Sequence, residues 1–123
     1  MLTDSQIARL LDIANAGCHK GLVSEARVIY EGVLAARPGH VPALIGQALS
    51  HIVIGEYDRA ENLLRDGVLS EHPDDADAKT TLGLCLCLAG KKNEAEDTLR
   101  PLAESEGASA ALARSLLDNM END

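Results

Sequence analysis

The stretch 108–120, ASAALARSLLDNM, repeats apolar residues at helical spacing (Ala108, Leu112, Leu116) with polar residues between them. The stretch 41–54, VPALIGQALSHIVI, is apolar almost all round, and so predicts a helix buried on both sides. Small residues punctuate the pattern at a fixed interval. Gly21, Gly55 and Gly90 are 34 and 35 residues apart, and Ala26, Ala60 and Ala95 follow them at the same spacing. Pro38 and Pro73 repeat at 35.

A period of this length is the mark of stacked helix–turn–helix units. The units align as 7–40, 41–75 and 76–107, the second with one extra residue near Gly67, and a seventh helix over 108–120 caps the stack. The three glycines are expected to stop each first helix, where a left-handed residue costs least. Thr3, Asp4 or Ser5 can cap the first helix, and Asp75 the fifth. Pro101, inside the expected sixth helix, should kink or end it near Leu99.

Composition sharpens the picture. The chain has no Trp or Phe and only two Tyr, so Ala, Leu, Ile and Val must fill one small core over residues 1–123. The net charge of −9 is unevenly placed. Residues 1–40 hold four acids and four bases, so the whole excess falls on 41–123. An acidic exterior repels phosphate, which argues against nucleic acid and anionic membrane as partners. With no leader, no apolar run of spanning length and three cysteines without framework spacing, the expected compartment is the cytoplasm.

The residues of the period carry a resemblance. Leu10, Ile13, Ala14, Gly17, Ala26, Tyr30 and Pro38 form the first set, and Leu44, Gln47, Ala48, His51, Ala60, Leu64 and Pro73 the second. Lys79, Leu82, Gly83, Leu86, Ala95, Leu99 and Gly107 form the third, and the Trp slot stays unfilled throughout. This pattern resembles the tetratricopeptide repeat. The resemblance implies an all-α, right-handed superhelix of three helical hairpins plus a capping helix, in a single domain. It also implies a concave face lined by the first helix of each pair. By register that lining is Leu11, Asn15 and Cys18, then Ile45, Leu49, Ile52 and Val53, then Thr80, Leu84, Cys87 and Leu88. These residues would form a partner-binding groove for an amphipathic helix.

Many members of the family hold an acidic tail in a clamp of Lys, Arg and Asn. The equivalent places here are Leu11, Asn15, Gly46, Asp77 and Thr81, of which only Asn15 fits. Free-standing acidic chains of this size are similar to the small cytoplasmic chaperones of bacterial type III secretion, needle-subunit chaperones above all. That likeness implies a secreted, self-assembling subunit as partner, a small co-chaperone and a bacterial cytoplasm. The alternatives are a generic scaffold subunit of a larger complex, or a homodimer.

No catalytic constellation, metal site or cofactor is expected. The chain lacks a phosphate loop, an HExxH and a Gly-x-Ser-x-Gly elbow, and its four histidines fall in different units without ligand spacing. Cys85 and Cys87 in TLGLCLCLAG point about 200° apart on a helix. They read as part of an apolar wall, Cys85 toward the core of its pair and Cys87 toward the concave side.

Overall fold

The computed structural model describes residues 1–121; the last two residues of the expected domain, 122 and 123, lie outside the described residues. Among the described residues seven α-helices account for the architecture: α1 (Asp4–His19), α2 (Val23–Ala36), α3 (Val41–Val53), α4 (Tyr57–Leu64), α5 (Ala76–Leu88), α6 (Lys92–Ala103) and α7 (Ala108–Glu121). A π-helical turn, Arg65–Leu69, continues α4 where the sequence carries its extra residue near Gly67. Consecutive helices pack as neighbours, α1 against α2, α3 against α4, α5 against α6, and α7 covers both α6 and α5.

The turns between paired helices are built alike. Gly21, Gly55 and Gly90 adopt φ of 84°, 81° and 81°. The next residue donates its N–H back five places, Leu22 to Gly17 at 2.8 Å, Glu56 to His51 at 2.9 Å and Lys91 to Leu86 at 2.9 Å. This is the Schellman closure, which satisfies a terminal carbonyl and needs a residue that enters the left-handed region freely. At the other helix ends, Thr3 and Gln6 form a reciprocal capping box on α1, and the Asp75 carboxylate accepts from Ala78 N at 2.9 Å.

Away from the turns the repeated small residues are buried: Ala14, Ala48 and Gly83 on the first helices, Ala26, Ala60 and Ala95 on the second, with the larger slots Tyr30, Leu64 and Leu99 buried one turn further on. At Gly83 an added Cβ would sit 2.3 Å from Leu99 Cδ2, so glycine there is what lets α6 seat on α5. The core falls into three clusters. One joins α1 and α2 to Ala43, a second runs through α3, α4, α5 and α6, and a third holds Leu99 and Leu102 against Ala113 of α7.

Pro101 behaves differently from expectation. The helix α6 runs through it to Ala103. The proline sits in the last turn, where it removes a single backbone donor. The carbonyls exposed there find other partners: Arg114 Nη1 donates to Ala103 O at 2.7 Å and Ser105 Oγ to Leu102 O at 2.6 Å. Burial of Leu102 adds to this. No described helix is long and apolar enough to cross a membrane.

Candidate functional site

Two adjoining hollows share Asn15 and Pro42 and together form a groove across α1, α3, α5 and α7. The larger has a volume of about 490 Å³ and is lined by Val41, Pro42, Ile45, Gly46 and Leu49 of α3, with Asp75, Asp77, Thr80 and Thr81 at the start of α5. Ala108, Ser109 and Leu112 of α7 complete it. The smaller, about 360 Å³, lies between Asp4, Ile7, Ala8, Leu11 and Asp12 of α1 and Arg37, His40 and Pro42.

The floor is set by one polar chain. Tyr30 donates its hydroxyl to Asn15 Oδ1, and Cys18 Sγ lies 3.5 Å from the same hydroxyl. Burial pushes the Tyr30 phenol far above its usual range, and the neighbouring Cys18 adds to that, so the ring stays a neutral donor. Gly46 makes this possible: an added Cβ would meet the Tyr30 ring at 2.4 Å. With its oxygen so engaged, Asn15 keeps its amide nitrogen for whatever enters the groove.

Much of the remaining polar lining is committed to the fold. Thr80 and Thr81 donate to the carbonyls of Ala76 and Asp77, each at 2.8 Å. Ser109 Oγ donates to Asp77 Oδ1 at 3.2 Å, tying α7 to α5. Arg37 is held by Asp4 and by Leu2 O. Hydroxyls spent on their own helix carbonyls are not activated nucleophiles, and no histidine lines the larger hollow. The arrangement offers an apolar bed with a few fixed donors and acceptors, which suits recognition.

Of the eleven residues expected at the groove, Asn15, Ile45, Leu49 and Thr80 line the larger hollow, while Leu11 and Asn15 line the smaller. Cys18 is corrected to the core: it is 1% exposed, against Tyr30. Ile52 is corrected likewise, 5% exposed in the cluster that joins α3 to α5. Both share a helical face with groove residues, but the neighbouring helix closes over the C-terminal end of that face. Cys87 is also corrected. It lies beneath α7, its Sγ 3.1 Å from Met120 Sδ, so the cap covers what would have been concave surface. Leu84 is half-buried outside both hollows, and Val53 and Leu88, 42% and 52% exposed, extend the apolar stripe beyond them.

The contribution of α7 is not visible in the sequence. Helical spacing makes Leu112 part of a lid, yet α7 continues the series α1, α3, α5 and adds its own inner face. The cysteines part company: Cys85 Sγ donates to Tyr57 O at 3.4 Å inside the core, on the far side of α5 from Met120. Burial pushes both thiols up, which keeps them protonated and poor metal ligands. Among the described residues no group of three His, Cys, Asp or Glu is placed to hold a metal ion.

This geometry, a series of helical hairpins with small residues at each crossing and an open inner face, defines an α-helical repeat protein. The sequence profile of the tetratricopeptide repeat matches residues 55–119, more than half of the chain, and the chain belongs to that family. No curated protein matches it. The family is a protein-interaction repeat, generally without catalytic activity.

Proposed function

We propose that this chain is a chaperone-like binding module, three repeats in one domain, that shelters an amphipathic helix of a secreted or self-assembling partner. The observation that carries the reading is the larger hollow. Ile45, Leu49 and Leu112 line about 490 Å³ that no side chain among the described residues fills. An open apolar bed of this kind is costly in water and is the usual seat of a partner. Sheltering such a helix would keep an aggregation-prone subunit soluble until delivery, as in the type III secretion chaperones the sequence resembles. A cytoplasmic setting fits the three free thiols.

A second reading, a scaffold subunit or homodimer, is favoured by the other end of the stack. There Ile13, Leu22 and Val28 are exposed, and no helix among the described residues covers them. Affinity capture from the native host separates the two. The first reading expects one small stoichiometric partner whose recovery is lost in Leu49→Glu and Leu112→Glu, with helicity by circular dichroism retained. Recovery that survives both substitutions, or a large complex that does not depend on them, removes it. Should Leu49→Glu fail to fold, the exposed Leu112 decides alone.

A further inference from the structure

The charges around the groove say more about its occupant, given that it binds a helix at all. Asp12 stands in the middle of α1, where no helix end calls for an acid, and it makes no ion pair among the described residues. The Asp77 carboxylate, across the groove, accepts a hydrogen bond from the Ser109 hydroxyl and likewise has no cation within 4 Å among the described residues. Asp75 is spent on its own helix, and Asp4 on Arg37. Apart from that engaged arginine, no Lys or Arg lines either hollow. The starts of α3, α5 and α7 each bring about half a positive charge, which offsets the acids of the first turns but not Asp12. The groove therefore stays anionic in a chain of net −9.

Between the acids lies the apolar stripe of α3. Pro42, Ile45, Leu49 and Val53 occur at intervals of three and four, a length of about 16 Å at 1.5 Å per residue. A bound helix of three turns would cover it.

We propose that the groove selects a cationic amphipathic helix, its apolar stripe laid on Ile45, Leu49 and Leu112 and its flanking Lys or Arg residues paired with Asp12 on one side and Asp77 on the other. Acids on opposite banks of an apolar bed discriminate against an acidic helix of equal hydrophobicity by leaving like charges facing. The recognition is the reverse in sign of a site for acidic tails.

The test uses the full chain and synthetic helices about 18 residues long, a length at which isolated helices begin to form. One carries a Leu stripe flanked by Lys, a second the same stripe flanked by Glu, and a third the Lys residues with the stripe scrambled. Affinity is read by titration calorimetry and placed by amide shift perturbation. The Lys helix is expected to bind at the groove at least roughly tenfold more tightly than the Glu helix in low salt. Asp12→Asn and Asp77→Asn should each weaken it by up to about fivefold, the range of an exposed ion pair. The preference should shrink in high salt. Asp66→Asn and Asp97→Asn, on exposed faces of other helices, change net charge equally and should leave affinity unchanged.

Equal binding of the Lys and Glu helices, or equal losses in the Asp66 and Asp97 variants, overturns the charge preference and leaves the groove reading standing. Binding of the scrambled helix as tight as the striped one also overturns it, by reducing the contact to bulk attraction. Perturbations away from α3 and α5, or no binding by any helix at millimolar concentration, remove the groove reading together with its charge.

Discussion

The two seams between successive hairpins differ in what they add to apolar packing. Between α2 and α3 a polar cluster stands beside the buried contact of Tyr30 and Val33 with Ala43. Arg27 Nε donates to Ser50 Oγ at 3.1 Å, Arg27 Nη2 to Glu56 Oε1 at 3.0 Å, and His51 Nδ1 lies 2.9 Å from the same carboxylate oxygen. Between α4 and α5 the contact is greasy: Leu64, Val68, Leu82 and Leu86 are fully or almost fully buried in one cluster. A single ion pair, Lys91 to Glu61 at 2.8 Å, bridges its rim. Apolar burial is strong but undirected, whereas hydrogen bonds add little net energy and fix geometry. The first seam thus adds direction to its packing, and the second rests mainly on bulk. The groove lies over the first, where Tyr30 and Asn15 need a fixed register.

The largest effect should come from hollowing the second seam. Leu64→Ala removes a fully buried side chain and should cost about 3 kcal/mol, read as a lower midpoint in urea. If the loss is under about 1 kcal/mol, bulk is not what holds this seam. Gly46→Ala attacks the first. Its Cβ would strike the Tyr30 ring, which is rigid and buried, so overpacking outweighs the helix propensity gained and the net cost should be about 2 kcal/mol. This variant should also displace Asn15, so its amide resonances shift, which Leu64→Ala should not cause.

Acid separates the seams more gently. The Glu56 carboxyl is held below the usual range by hydrogen bonds from His51 and then Arg27, and that of Glu61 by Lys91 and then Arg65. A carboxyl depressed in the folded state stabilises fully above its unfolded value, about 4.3, and the contribution fades as pH falls through the folded value. Stability should therefore drop on the acid side, and Glu56→Gln should flatten part of that limb while lowering stability at neutral pH. Lys91→Ala should matter least, because Lys91 stands exposed at the rim and Glu61 keeps Arg65 as a second partner. A Lys91→Ala loss as large as that of Glu56→Gln would erase the distinction between the seams.

Much of the fold could be read from the chain because its cues are local. Gly21, Gly55 and Gly90 mark turns whose hydrogen bonds repeat atom for atom, and Ala26, Ala60 and Ala95 mark crossings too close for a longer side chain. The groove was read less well. Helical phase puts Ile45 and Leu49 on the face that lines the larger hollow, but phase cannot say how far a neighbouring helix reaches along it. Ile52 and Cys18 share that phase and are covered, and Cys87 was hidden by Met120 from another helix altogether. The share of α7 was missed because the period ends before it, and nothing local to Leu112 distinguishes a lid from a fourth wall.

The wide turn at Arg65–Leu69 has one more effect. Each residue of an ordinary helix advances the chain by about 100°, so an unabsorbed insertion near Gly67 would have rotated the end of that helix by that much. Taking up the surplus in a five-residue π-turn keeps Val68 inward, fully buried beside Leu64. An error in counting is thereby confined to one bulge, and the last turn keeps its greasy side on the core.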